Sequence, residues 1–276
     1  MFRSRLLCLT VLAGVGVGLL AGCGEEKPPP RVKFGAAEPA GDKLGLGVGL
    51  LAGCGEEKPP PRVKFGAAEP AGDKLGLQPE PGAAVALSKW PDACKLVTDA
   101  ELRAFLPQSK SVQHKPVKVT ILNFDPLADA APGTTGDVPR GGCEFEFSLP
   151  GNGGDDVTNS NFTVTVTALA DPALVGRKYR EDKGNDDSEK GFKDLAGAWG
   201  AQDCYSVDGV LGAEVTCMQG PYEFELRGSS HAEGLVPQPG SDAKPSENLA
   251  AAAKRERLWT DKVLSQVART VGARMS

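Results

Sequence analysis

The sequence has only two histidines, and aromatic residues make up 6% of the chain. It contains no GxSxG or HExxH motif and no CxxC pair, so signatures of serine hydrolases, zinc proteases and zinc ribbons are missing. The low aromatic content also argues against a sugar cleft. His114 and His231 both lie in polar segments, which is typical of solvent-facing side chains. We expect no enzyme activity, no catalytic residue, no metal and no cofactor.

The chain also lacks an excess of basic residues. It has 36 acidic and 31 basic side chains, for a formal net charge of −5 at pH 7. A net-negative chain has no electrostatic footprint for nucleic acid. Nucleic acid is therefore excluded as an expected partner.

No apolar run reaches the roughly 20 residues that a membrane-spanning helix needs. The run from Leu6 to Leu20, interrupted by Thr10, follows Arg3 and Arg5. A short basic segment before an apolar run of this length is typical of a signal peptide.

The apolar run ends in Leu20-Ala21-Gly22-Cys23, which resembles the bacterial lipobox. That resemblance implies cleavage after residue 22 and transfer of diacylglycerol to the Cys23 thiol. Two acyl chains suffice for stable anchoring. We expect residues 1–22 to be a lipoprotein signal peptide and the protein to be held by its lipid on the extracytoplasmic face of the cytoplasmic membrane.

Residues 16–46 and 47–77 are identical, letter for letter. Each copy is rich in proline, glycine and charge, and such a composition is typical of disorder. We therefore predict a disordered tether over residues 23–89. The second copy repeats the box as Leu51-Ala52-Gly53-Cys54, but only about ten apolar residues precede it, so Cys23 is the preferred lipidation site and Cys54 the alternative. The duplication could be natural or an error of gene assembly.

Residues 90–276 have the length of one ordinary domain with a sizeable core. This domain carries four cysteines, and in an oxidising compartment an even set predicts two disulfides. Of the three connectivities that four cysteines allow, the short separation and the Asp208-Gly209 turn favour Cys204–Cys217 in a hairpin. The remaining pair is then Cys94–Cys143.

Alternating apolar and polar residues predict strands in this domain. Three segments alternate cleanly, and two shorter ones fit the same pattern. This predicts an α+β fold whose antiparallel sheet has about five strands and one solvent-exposed face. The segments are 143–149, 161–169 and 221–227, with 117–122 and 212–220 as the shorter two.

Helices are expected to cover one face of the sheet, the apolar face. Thr98 and Glu101 form a capping box that starts a helix ended by Pro107. Residues 172–183 form a second predicted helix, and the segment 247–271 places Leu258, Trp259, Val263, Val267 and Val271 at helical spacing. We expect this last helix to dock on the sheet with its charges in solvent.

Several carboxylates could in principle do chemistry. The pairs Glu144/Glu146 and Glu223/Glu225 occupy polar positions of predicted strands and are explained by the solvent-exposed face of the sheet. Spacing alone does not exclude their use in glycoside cleavage. The loop 180–191 is acidic, but its order of residues does not match a calcium-binding EF-hand loop.

Three motifs, "WPDACKLVTDAELRAFL", "GGCEFEF" and "FKDLAGAWGAQDC", give residues 90–227 a resemblance to actinobacterial cell-envelope lipoproteins with an uncharacterised domain. The domain is more loosely similar to the extracellular sensor domain of mycobacterial receptor kinases. The resemblance implies a Cys94–Cys143 disulfide, no enzyme activity and no agreed ligand. Cys204, Cys217 and the long polar loops depart from the family pattern.

These observations favour a lipid-anchored binding or sensory module of the cell envelope, with an envelope protein or a small molecule as partner. The alternatives are a secreted hydrolase with a carboxylate-based site and an envelope structural or assembly protein.

Overall fold

The computed structural model describes residues 61–69, 72–121, 136–151, 158–209, 212–240 and 242–276. The chain divides into two units, Met1–Gly55 and Glu56–Ser276, and every described residue belongs to the second. Within these residues, no helix is both long and apolar enough to cross a membrane.

The centre of the fold is a seven-stranded antiparallel sheet in the order β1-β2-β3-β7-β6-β5-β4. Neighbours in the chain are neighbours in the sheet except for β3, which pairs with β7. The strands are β1 Lys110–Ile121, β2 Gly136–Ser148, β3 Ser160–Leu169, β4 Lys193–Asp194, β5 Asp203–Gly209, β6 Gly212–Gln219 and β7 Tyr222–Ser230.

The α+β class and the antiparallel sheet are confirmed, but the predicted count of about five strands is too low. The two strands that alternation does not reveal, β4 and β5, carry weak patterns, and only the predicted Cys204–Cys217 hairpin pointed to β5. β4 has only two residues, and in β5 Cys204, Tyr205 and Ser206 are buried in succession. A strand buried on both faces shows no alternation, so periodicity could not find it.

One side of the sheet, here the first face, carries the main hydrophobic core. Phe145, Phe162 and Phe224 lie on it and are fully buried. It is covered by α1 (Asp99–Phe105) and by a long C-terminal helix made of α3 (Pro245–Trp259), a π-helical turn (Thr260–Leu264) and α4 (Ser265–Met275). This helix contributes a buried stripe of Trp259, Val263, Leu264, Val267, Ala268, Val271 and Met275, as predicted except that Leu258 is only half-buried.

Two further predictions about the first face are confirmed. The capping box is present, because the Thr98 hydroxyl accepts from the Glu101 N–H while the Glu101 carboxylate accepts from the Thr98 N–H. Both disulfides form as predicted: Cys94–Cys143 joins a 3-10 turn (Ala93–Lys95) to β2, and Cys204–Cys217 links directly opposed residues of β5 and β6.

The prediction that helices cover only one face is wrong. Helix α2 (Pro172–Asp186) packs on the opposite side, here the second face, where Val175 and Tyr179 form a small core with Tyr205 and Met218. A bulge between Val166 and Ala168 of β3 contributes to this surface, since it turns Ala168 toward α2. The second face, which the alternation predicts to be exposed to solvent, is therefore partly buried.

The domain also begins earlier than the predicted boundary at residue 90. Residues 61–69 and 72–77, here the docked segment, lie on the domain, with Val63 and Ala68 in its core and Phe65, Leu75 and Leu77 packed against it. A few apolar side chains and backbone hydrogen bonds to the domain hold this segment. The composition of the whole tether, which is rich in proline, glycine and charge, does not reveal these few contacts. Residues 78–89 of the predicted tether also belong to the domain, since Ala84 forms a β-bridge with Ala170 and Val85 packs against the core. Residues 23–60, 70 and 71 lie outside the described residues.

A buried ion pair holds the end of the docked segment. Arg274 of α4 donates to both carboxylate oxygens of Glu101, at 2.8 and 2.9 Å, and the two side chains are almost fully buried. The Arg274 carbonyl accepts from the Leu75 N–H at 2.8 Å. Gly72 has φ of +102°, and a Cβ there would come within 2.7 Å of the Arg274 guanidinium, so this position requires glycine. The docked segment, α1 and α4 thus meet at one point.

Because the two copies of the repeat are identical, residues 30–46 carry every side chain that residues 61–77 place on the domain. Deleting either copy yields the same shortened chain, in which residues 30–46 stand directly before Gln78. We expect its free energy of unfolding to equal that of the full chain within about 0.5 kcal/mol, the usual range of neutral changes. Chemical denaturation at equilibrium measures this.

A chain that begins at residue 78 is the control. It removes Val63 and Ala68 from the core and should unfold at clearly lower denaturant concentration. Loss of stability on deleting a single copy would show that the first copy contributes contacts of its own.

Candidate functional site

The second face of the sheet forms a polar cleft beside α2. A small cavity of about 220 Å³ lies between α2 and strands β3, β5, β6 and β7, and carboxylates dominate its wall. The side chains that line it are Thr167, Lys178, Asp182, Asn185, Asp186, Tyr205, Glu214, Thr216, Glu223 and Glu225.

Helix α2 brings a cation to the floor of this cavity. The Lys178 Nζ lies 2.5 Å from Glu223 Oε1 and also contacts the Asp182 carboxylate one turn further on. The Thr167 hydroxyl donates to the same Glu223 oxygen at 2.9 Å. Glu223 is 1% exposed, and its Oε2 has no hydrogen-bond partner among the described residues. One oxygen of this buried carboxylate is thus without a donor among the described residues.

Burial raises the pKa of Glu223, because water no longer solvates its charged form, although Lys178 works against the shift. Burial acts on Lys178 in the opposite sense and would lower its pKa, but Glu223 and Asp182 outweigh it and the pKa of Lys178 is raised. Both shifts follow from placing an ion pair under a helix.

A second cluster of charged side chains lies further along β7 on the same face of the sheet. Arg227 donates to Glu214 Oε1 at 2.7 Å and also contacts the Glu225 carboxylate. The strand register explains this arrangement, since Glu214 stands opposite Arg227 and lies two residues from Thr216, the residue opposite Glu225, on the same face of the sheet. Burial, together with the Glu214 carboxylate, raises the pKa of Glu225 to about 7. At neutral pH the Glu225 carboxyl is therefore protonated in part.

A much larger cavity, of about 1080 Å³, continues along the second face. It shares Asp186 and Glu214 with the small cavity as wall residues. Strands β2, β3 and β7 supply its floor, with Glu144, Asn161, Thr163, Arg227 and Ser229. The β5–β6 hairpin supplies Val207, Asp208, Gly209 and Gly212, and α3 closes one side with Ala252, Arg255 and Glu256.

Arg255 is the unusual member of this wall. It is 8% exposed, and its Nε is buried without a hydrogen-bond partner. Its guanidinium forms no hydrogen bond or ion pair with any of the described residues. Buried cations are normally paired, because desolvating an unpaired charge is costly.

The predicted site residues are distributed over several places. Cys23 and Cys54 lie outside the described residues. His114 is on β1, where its Nε2 lies 2.8 Å from Asp99 Oδ1 and its ring packs on Phe145. His231 is exposed and borders the large cavity. Within the described ranges, no group of three or more potential metal ligands is assembled.

The members of the two carboxylate pairs noted in the sequence lie at different places in the structure. Glu223 and Glu225 both line the small cavity, while Glu144 lines the large one. Glu146 instead pairs with Lys115 of β1 at 2.5 Å. The acidic segment 180–191, predicted as a loop, is helical up to Asp186, the last residue of α2, whose carboxylate accepts from the Tyr205 hydroxyl at 2.9 Å.

Among the charged residues of the cleft, sequence reasoning missed Lys178, Glu214 and Arg255. Alternation in β6 and β7 could have placed Glu214 beside Arg227. Lys178 required knowing which face α2 covers, and Arg255 lies in the run Lys254-Arg255-Glu256-Arg257, where nothing distinguishes a buried charge from its solvated neighbours.

No known protein family, curated protein or solved structure matches the chain.

The raised pKa of Glu225 predicts a pH-dependent stability. The folded state keeps the proton up to about pH 7, whereas the unfolded chain releases it near the ordinary value of 4.5. The stabilisation is fully present below pH 4.5 and is lost as the pH rises through 7, by an amount on the order of 3 kcal/mol. Glu225→Gln should remove this loss, which urea unfolding at pH 5 to 8 measures.

Glu144→Gln, on the same face of the sheet, is the matched control and should keep the wild-type pH dependence. If Glu225→Gln loses stability with pH as the wild type does, another group is responsible.

Proposed function

We propose that the protein is a lipid-anchored binding module of the cell envelope, on the extracytoplasmic face of the cytoplasmic membrane, that takes a small polar ligand in the cleft on the second face. The cleft is the observation that carries this proposal. A cavity of about 1080 Å³ walled by charged and hydroxyl side chains is large enough for a small molecule. The lipobox and the two disulfides support an exported protein.

The proposed ligand site should be detectable by thermal shift. The full-length chain in detergent would be screened against amino acids, peptides, polyols, nucleotides and cell-wall fragments. A ligand at a hundred times its Kd stabilises the folded state by about 2.7 kcal/mol, so at least one class should raise Tm clearly. Thr163→Trp fills the floor of the large cavity and should abolish the shift.

Lys118→Trp, at an exposed position of β1, is the control and should keep the shift. The proposal fails if no class raises Tm in the wild type, or if the shift survives in Thr163→Trp.

The docked segment bears on the choice of lipidated cysteine. Its first described residue, Pro61, stands seven residues after Cys54 and 38 after Cys23. An extended chain spans at most about 3.5 Å per residue. Lipidation at Cys54 would hold the domain within about 25 Å of the membrane, whereas lipidation at Cys23 allows about 130 Å. The choice of cysteine therefore sets the distance between ligand site and membrane.

We expect Cys23 to carry the lipid, because the longer apolar run precedes it. Metabolic labelling with a palmitate analogue in the native host should mark the wild type and Cys54→Ala but not Cys23→Ala. Label that persists in Cys23→Ala and is lost in Cys54→Ala would assign the anchor to the second box instead.

A secreted hydrolase is the second candidate, and the Glu214–Glu225 pair favours it. A carboxyl with a pKa of about 7 can hold a proton for a leaving group at neutral pH. Any compound found in the screen would be followed by NMR over hours with the wild type and with Glu225→Gln. Cleavage that only the wild type performs would favour catalysis, and an intact ligand would favour binding.

An envelope assembly protein would be expected to show an exposed apolar patch. Among the described residues, Leu249 is the large apolar side chain that is exposed. A single side chain does not make a docking surface, so this alternative receives no support from the described surface.

A further inference from the structure

We propose that Arg255 binds the carboxylate of the ligand, and that the ligand is a small zwitterion whose ammonium group faces the acidic wall of the large cavity. This inference rests on the proposed function, since it names the ligand class for the same cleft. It starts from the one buried charge of the cavity wall that has no partner among the described residues.

The geometry of Arg255 indicates an anionic group of the ligand. Its side chain is more than nine-tenths buried, it lines the cavity, and its Nε has no acceptor among the described residues. A guanidinium presents parallel N–H donors that match the two oxygens of a carboxylate. A bound carboxylate would supply the missing acceptors and offset the cost of burying the cation.

The other cation of the cavity wall is already paired. Arg227 contacts Glu214 and Glu225, so it has no free charge to offer a second anion. The cavity thus has one open cationic position, at α3. This favours a ligand with a single carboxylate over a polyanion.

The remaining charges of the wall have the opposite sign. Carboxylates line the floor, the β5–β6 hairpin, the end of α2 and the segment after it, and one stands beside Arg255 on α3; the exposed His231 borders the rim. A ligand that brought only negative charge would be repelled by these groups, whereas an ammonium group would be attracted. The carboxylates are Glu144, Asp186, Glu189, Asp208, Glu214 and Glu256.

Two charges of opposite sign on one small molecule therefore fit the cavity best. Amino acids and short peptides have this chemistry, with a carboxylate at one end and an ammonium at the other. Inorganic phosphate shares only the anionic half, and it serves as the alternative anion in the test.

The first experiment measures binding of glycylglycine to the full-length chain in detergent by calorimetry or NMR. Acetylglycylglycine lacks the ammonium group, and glycylglycine amide lacks the carboxylate. We expect glycylglycine to bind, and both derivatives and phosphate to bind at least tenfold more weakly, because a charged hydrogen bond contributes more than a tenfold factor in affinity.

The second experiment uses variants of Arg255. Arg255→Met should weaken glycylglycine binding by tenfold or more, and Arg255→Lys should restore part of it, since lysine keeps the charge without the fork. Arg257→Met is the matched control. Arg257 lies on the same helix, its side chain is 81% exposed and it faces Asp261, so this variant should bind as the wild type does.

Stability gives a readout that does not depend on the ligand. Arg255→Met replaces a buried, unpaired cation with an apolar side chain of similar length, so Tm of the free protein should stay the same or rise. A strong fall in Tm would show that Arg255 has a structural partner, and this would overturn the proposal.

Other outcomes separate this proposal from the proposed function. If the broad screen finds a ligand but glycylglycine does not bind, or binds equally to Arg255→Met, the ligand class is wrong while the cleft remains a binding site. Tighter binding of phosphate than of glycylglycine would overturn the choice of a carboxylate. If no compound of any class binds, the proposed function itself fails.

Discussion

Helix α2 lies against a sheet face that is built of glutamate, threonine and arginine, and this contact governs the rest of the site. Charged groups placed under a helix lose water, so each must find a partner or change its protonation state. Glu223 does the first, through Lys178 and Thr167. Glu225 does the second, with a pKa raised to about 7. The space that these groups do not fill is the cleft.

The first face supplies the rigidity that such a cleft needs. On the first face, stacked aromatic side chains, two disulfides and the C-terminal helix hold the strands in place. The same helix extends past the core and carries Arg255 to the large cavity, so the residue that would anchor a ligand is set by the packing of Trp259, one turn along. The docked segment stabilises the other end of this helix through Arg274. The large cavity and the docked segment are therefore both in contact with this one helix.

Much of this fold could be predicted from the sequence, because local patterns decide it. The capping box at Thr98, the alternation in β2, β3 and β7, the apolar stripe around Trp259 and the Cys204–Cys217 hairpin all depend on neighbouring residues. The site depends on contacts between distant segments. Glu223 looks like a solvent-facing residue until α2 covers it, and Val63 looks like part of a tether until it enters the core. Arg255 is hidden in a run of charges that is otherwise exposed.

The central claim is that the buried guanidinium of Arg255 is an open position for a ligand carboxylate. A crystal structure of the full-length protein grown with glycylglycine tests it most directly. We predict that the peptide carboxylate lies within hydrogen-bonding distance of the Arg255 guanidinium, with the ammonium group toward the carboxylates of the opposite wall. An empty cavity in which Arg255 pairs with a carboxylate of the protein itself would contradict it.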